Sequence, residues 1–228
     1  MDAESFEGRA LSYVLVRPDN YVPGAGWPLV VLLHGFGASM YDLAGLSPSI
    51  DETGYVYAFP NAPLSVPYGG GQVGYSWLER EGVVPPQPGS PEIEERLDSF
   101  MAEVKQQTGV QNGEILLGGF SQGGGLTLRY GLPRANTFTG LAVLSGFARD
   151  LDALENRLPP QRSQPVFVAH GRQDSMIPIE RGRDTRTWLE KQGYAPEYHE
   201  YDMAHEITAA VLRDLVPWLK ATLPPRRR

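Results

Sequence analysis

The stretch Gly119-Phe120-Ser121-Gln122-Gly123 constrains this chain more than any other. It follows an apolar run, Glu114-Ile115-Leu116-Leu117-Gly118, which predicts a buried strand. It precedes Gly124-Gly125-Leu126-Thr127-Leu128-Arg129-Tyr130, which predicts a short helix. Gly-x-Ser-x-Gly at a strand-to-helix junction is the pattern of a nucleophile elbow. The turn is sharp enough to strain the serine backbone and lift its hydroxyl above the sheet. A side chain two residues either way would collide with the adjoining strand or helix, hence glycine. The helix that follows aims its N-terminal amides and positive dipole end at the reacting group. The competing reading is a glycine-rich turn whose serine only caps the helix.

The rest of the chain supplies a frame for such an elbow. Leu29-Val30-Val31-Leu32-Leu33 is a continuous apolar run, the mark of a strand covered on both faces. It ends in the glycine-rich His34-Gly35-Phe36-Gly37-Ala38-Ser39, and open α/β sheets place their ligands at such loops. Leu11 to Arg17 alternates as an edge strand does. Tyr55 to Pro60, Leu141 to Ser145, Pro165 to His170 and Glu197 to Tyr201 predict further strands.

Ser90-Pro91-Glu92 predicts a helix start, with a capping serine and proline at the first helical position. Ile93, Leu97, Phe100, Met101 and Val104 lie on one face of that helix, and Gly109 stops it. Ile179 to Gln192 predicts another helix. Ile207, Val211, Leu215, Trp218 and Leu219 mark a terminal one, which Pro217 should kink. Strands alternating with helices imply one α/β domain over residues 1–228, with a mostly parallel, doubly wound sheet and helices on both faces. Asn61 to Ser90 is dense in Pro and Gly and predicts an irregular, lid-like insertion, 61–90. Its Tyr68, Tyr75 and Trp77 suit either a pocket wall that binds substrate or a satellite core under a long loop.

The net charge of −7 argues against a nucleic-acid partner, which would call for a basic face. The basic run Arg226-Arg227-Arg228, behind Pro224-Pro225, is expected to be a solvated tail. The chain has no cysteine, which excludes disulfides, thiolate metal sites and a cysteine nucleophile. The acidic start, Met1 to Glu7, lacks the basic and apolar regions of a signal peptide, and no apolar run approaches a membrane span. No stable membrane insertion is expected, and a cytoplasmic location is.

A serine hydroxyl needs a base within hydrogen-bond reach, and the base needs an acid to orient it. Hydrolases with this elbow use the chain order serine, acid, histidine. Downstream of Ser121 stand His170 at a strand end, His199 within a strand, and His205 on the turn before the last helix. A histidine on a turn at the rim of the sheet can lean toward the elbow, which favours His205. Asp174 follows directly from a strand end and satisfies the order; Asp150, Asp184 and Asp202 are rivals. An oxyanion hole needs preorganised donors, one being the amide of Gln122 and the other an amide of the His34–Gly37 loop, with Phe36 the favoured donor. His34 is read as a brace for that loop.

On these pieces the chain resembles the phospholipase/carboxylesterase family of α/β-hydrolases, the small serine esterases that include acyl-protein thioesterases. The matching segments are Leu33-His34-Gly35-Phe36-Gly37-Ala38, Asp42-Leu43, Phe59-Pro60-Asn61-Ala62-Pro63, Ser76-Trp77, Gly118 to Gly124, His170-Gly171 with Asp174 and Pro178, and His205-Glu206. The resemblance implies catalysis by Ser121, Asp174 and His205, with the Phe36 and Gln122 amides as oxyanion hole. It implies hydrolysis of a small-molecule carboxylic ester or thioester, with no cofactor and no metal. The expected activity is that of a serine carboxylesterase on short- to medium-chain esters. The alternatives are a lysophospholipase or acyl-protein thioesterase, and a non-catalytic binding protein on a hydrolase fold. The Gly- and Pro-rich character of 61–90 departs from the thioesterase branch and puts substrate preference in question. A homodimer is left open.

Overall fold

The apolar run after Pro28 becomes β3 (Leu29–Leu33), deep inside an eight-stranded sheet. The computed structural model describes residues 1–67, 71–84 and 92–226. Along the chain the sheet also takes β1 (Asp2–Phe6), β2 (Tyr13–Arg17), β4 (Val56–Pro60), β7 (Ile115–Phe120), β8 (Gly140–Leu144), β9 (Val166–Gly171) and β10 (Glu197–Tyr201). Its spatial order is β1-β2-β4-β3-β7-β8-β9-β10. From β4 to β10 all neighbours are parallel, whereas β1 and β2 join antiparallel at one edge. This is the mostly parallel, doubly wound sheet that the alternation of strands and helices implies. The parallel run carries the C-terminal ends of β3, β7, β8, β9 and β10 to one rim.

Every residue of β3 is buried, because helices cover both faces of the sheet. Strand alternation sends Leu29, Val31 and Leu33 into one core and Val30 and Leu32 into the other. The first core is closed by α2 (Ile93–Thr108), α3 (Gln122–Gly131) and α5 (Ile179–Lys191). The second is closed by the short α1 (Ser47–Ile50) and by α6 (Ala209–Thr222), whose Val211, Leu215 and Leu219 point inward at helical spacing. Each such side chain contributes about 2 kcal/mol by leaving water. One turn of helix, α4 (Leu151–Glu155), follows β8.

The helix predicted from Ser90 onward is α2, with the expected buried face and with Gly109 in the left-handed conformation (φ 75°) at its end. The proposed cap, Ser90 with Pro91, lies outside the described residues. The terminal helix runs on through Pro217 to Thr222.

Three expectations change. Tyr13–Arg17 is not an edge strand, because the acidic segment Asp2–Phe6 pairs outside it in register Asp2 to Arg17. Four of the five residues of β1 are exposed, so no apolar pattern announces the strand. The stretch 61–90 is not irregular throughout: β5 (Leu64–Pro67) and β6 (Val73–Ser76) pair antiparallel as a separate hairpin. The C-terminal arginines also depart from a free tail at Arg226. Its amide donates to the Gly54 carbonyl at 2.9 Å and its guanidinium lies 5.1 Å from the Trp27 ring.

Candidate active site

Ser121 sits between β7 and α3 with φ 55° and ψ −117°, a conformation that a residue with a Cβ adopts only under constraint. The constraint is backbone packing on both sides. A Cβ on Gly119 would stand 2.4 Å from the Gly123 carbonyl, and one on Gly123 would stand 2.2 Å from the Leu33 carbonyl. Glycine at both positions lets the elbow lie flush against the end of β3.

The rim of the sheet brings the two predicted partners to this serine. Nε2 of His205 is 2.8 Å from the Ser121 hydroxyl, and Nδ1 is 2.6 Å from Oδ2 of Asp174. With Nδ1–H donating to the carboxylate, Nε2 is free to accept from the hydroxyl. The Asp174 side chain is fully buried and that of His205 is 17% exposed. The other oxygen of Asp174 accepts the amides of Met176 and Ile177 at 2.9 and 2.8 Å, an Asx turn that fixes the carboxylate. Sequence reasoning brings Ser121, Asp174 and His205 together, and in space they form one hydrogen-bonded relay.

The rival residues go elsewhere. Asp202 pairs with Arg172 at the surface, His199 bonds Glu197, and Asp150 precedes α4 in a left-handed conformation. Asp184 lies exposed on α5. His170 has a use that the sequence did not reveal. Its Nε2–H donates to the Ile177 carbonyl at 2.8 Å and stands 3.5 Å from Oδ2 of Asp174. A fully buried imidazole thus ties down the turn that presents the acid. The spacing from His170 to Asp174 at the end of a strand was the available signal.

The second glycine-rich loop is held from three directions. Nδ1–H of His34 donates to the Gly35 carbonyl at 2.7 Å, and Nε2 accepts the Ala62 amide at 3.0 Å. Burial pushes the His34 imidazole down to about 4, against a weaker opposing effect of the Gly35 bond, so it stays neutral. The backbone of Tyr75 in β6 exchanges hydrogen bonds with Gly37 and Ala38 at 2.8 and 2.9 Å. The hairpin therefore buttresses the loop that carries Phe36. The Phe36 ring packs on a small cluster of Leu64, Val66 and Val84.

Gln122 links the elbow to the same hairpin. Its side-chain carbonyl accepts the Trp77 amide at 2.9 Å, and its amide group donates to the Ser76 hydroxyl at 3.0 Å. Trp77 is 1% exposed and its indole N–H donates to the His34 carbonyl at 2.8 Å. Of the two readings for Trp77, its burial matches core rather than pocket wall. Tyr75 is half-buried beside the loop, and Tyr68 lies outside the described residues. The amides of Phe36 and Gln122 are taken by no loop or turn carbonyl among the described backbone contacts. Among the described residues no group of three His, Asp or Glu side chains is placed to hold a metal ion.

The profile of the phospholipase/carboxylesterase family matches residues 25–223, nearly the whole chain. The chain belongs to that family. It is a serine hydrolase of the α/β-hydrolase type. Acyl-protein thioesterase 1 of Kluyveromyces lactis is 32% identical over 216 residues, covering 86% of this chain and 92% of the relative. Carboxylesterase SOBER1 of Arabidopsis thaliana is 28% identical over 209 residues, covering 85% and 90%. Among solved structures, esterase PE8 superposes with a TM-score of 0.76 at 27% identity, covering 93% of this chain and 99% of the other. No helix among the described residues is long and apolar enough to cross a membrane.

Proposed function

We propose that this protein is a carboxylesterase that hydrolyses short- to medium-chain carboxylic esters through a Ser121–His205–Asp174 triad. The observation that carries this reading is the unbroken relay from the Asp174 carboxylate through His205 to the Ser121 hydroxyl. His205 takes the serine proton as Ser121 attacks the ester carbonyl, and Asp174 orients the imidazole and stabilises its cation. The tetrahedral oxyanion is received by the amides of Phe36 and Gln122. The alcohol leaves with the proton from His205, and water then attacks the acyl-enzyme by the same path in reverse.

A second reading, acyl-protein thioesterase, is supported by the likeness to the Kluyveromyces lactis relative of that name. Both readings need the same triad and differ in the leaving group. The test is hydrolysis of p-nitrophenyl esters of increasing acyl length beside the matching thioesters, with wild type and Ser121→Ala. Wild type is expected to prefer the shorter oxygen esters, and the alanine variant to lose about a thousandfold or more in kcat. A higher kcat/KM on long-chain thioesters would move the assignment to the thioesterase. Equal inertness of two folded proteins would leave a binding protein on a hydrolase fold.

A further inference from the structure

Beyond the triad, the rim holds two arginines that the chemistry above leaves unused. Ser145, directly after β8, has a positive φ of 48°. The turn lays Gly146 against Gly124, where a Cβ would come within 2.8 Å of the neighbouring backbone. Phe147 follows, with its carbonyl 2.8 Å from the position of a Cβ on Gly125, one turn into the helix that begins at the nucleophile. The Ala148 amide donates to the Thr185 hydroxyl on α5 at 3.0 Å, which fixes this segment between α3 and α5.

Two guanidiniums meet on the Phe147 ring. Arg149 lies 5.0 Å and Arg181 5.5 Å from its centroid. Arg181 stands in the first turn of α5, the helix reached from Asp174 through the Asx turn. Both side chains are exposed, and among the described residues neither makes an ion pair or a side-chain hydrogen bond. That is unlike the arginines behind the same elements: Arg129, Arg134 and Arg157 all end on Glu94. In a chain of net charge −7, two unpaired guanidiniums held on one ring, on a turn packed against the helix that follows Ser121, are a built cationic feature.

We infer that Arg149 and Arg181, flanking Phe147, form a subsite for an anionic group, a carboxylate or phosphate, carried by the ester substrate. Contact with the ring holds both guanidiniums at one place, and their N–H donors, without a protein partner among the described residues, can match a carboxylate or phosphate in pairs. The positive pair also draws an anionic ester toward a molecule whose overall charge would repel it. The inference rests on the ester-hydrolase reading and names the substrate class of that site.

The experiment compares anionic with neutral esters of matched length on wild type and on the Arg149→Gln/Arg181→Gln double variant. In one arm the anion is on the acyl side, p-nitrophenyl hemisuccinate against p-nitrophenyl butyrate. In the other it is on the leaving side, 3-carboxyphenyl butyrate against phenyl butyrate. The readout is the anionic-to-neutral ratio of kcat/KM, in which the fraction of folded enzyme cancels. Dividing the wild-type ratio by that of the variant also cancels the intrinsic reactivity of the esters.

In at least one arm that quotient is expected to be about tenfold or more, and to shrink as salt is raised. The arm that responds tells on which side of the scissile bond the anion sits. A quotient near unity in both arms, with the esters turned over, would overturn the subsite and leave the esterase standing. Failure of wild type to hydrolyse any of the esters would remove the ester-hydrolase reading, and the subsite with it.

Discussion

Ser121 shows how far one residue can be fixed by what cannot fit around it. Its backbone conformation is held because Gly123 presses on the carbonyls of Leu33 and His34, atoms that cannot move aside without breaking β3. Gly123→Ala is therefore expected to destabilise the fold by about 3 kcal/mol, read as a fall in the urea midpoint at constant slope. An unchanged midpoint would mean that the elbow tolerates a second Cβ. Gly182 makes the same point for the acid. A methyl there would stand 2.9 Å from Nδ1 of His170, the imidazole that ties down the Asp174 turn. Gly182→Ala should lower kcat by about tenfold with little change in KM, since it displaces the acid and not the substrate. A KM effect alone would place Gly182 in substrate binding.

At the scale of elements, the helices of one face are joined by a charge cluster. Glu94 on α2 receives Arg129 from α3, Arg134 beyond its end, and Arg157 beyond α4, at 3.0, 2.9 and 2.6 Å. Burial alone would raise the Glu94 carboxyl, but hydrogen bonds from Arg157, Arg134 and Arg129 outweigh it and hold it down to about 2. A carboxylate with a depressed folded value stabilises fully above its unfolded value of 4.5 and loses that contribution as pH falls toward 2. Glu94→Gln should cost about 2 kcal/mol near neutrality, with the gap to wild type closing as pH falls through that window. Denaturation curves at a series of pH values would show it. A gap independent of pH would assign the loss to packing.

For the whole molecule, the burial of His34 adds a second acid sensitivity at higher pH. Its folded value is depressed from 6.5 to about 4, so the unfolded chain binds the proton first. The stability it supports is present above pH 6.5 and lost as pH falls toward 4, before Glu94 begins to respond fully. The stability of wild type is expected to decline in two stages on acidification, and His34→Asn to lack the first. A His34→Asn profile with the same upper stage as wild type would place that transition in another group.

Much of this was legible along the chain. The elbow glycines, the apolar runs of the central strands and the strand-end position of Asp174 are local patterns, because steric exclusion and burial on two faces act on neighbours in sequence. Those forces point to a doubly wound α/β sheet and an elbow serine, and the motifs shared with the phospholipase/carboxylesterase family point to the three residues of the relay. Other features depend on partners distant in the chain. The acidic β1 is a strand because β2 offers it a free edge, and the β5–β6 hairpin is ordered against a loop at Gly37. Trp77 is core because the His34 carbonyl waits for its indole N–H. Arg149 and Arg181 share one ring only because the turn after β8 and the start of α5 meet at the same rim. Sequence determined which strands are buried and where the elbow serine stands, since both are set by local sterics and hydrophobicity. Tertiary structure alone decided what surrounds that serine, since hydrogen bonds and charges find their partners only when the chain has closed.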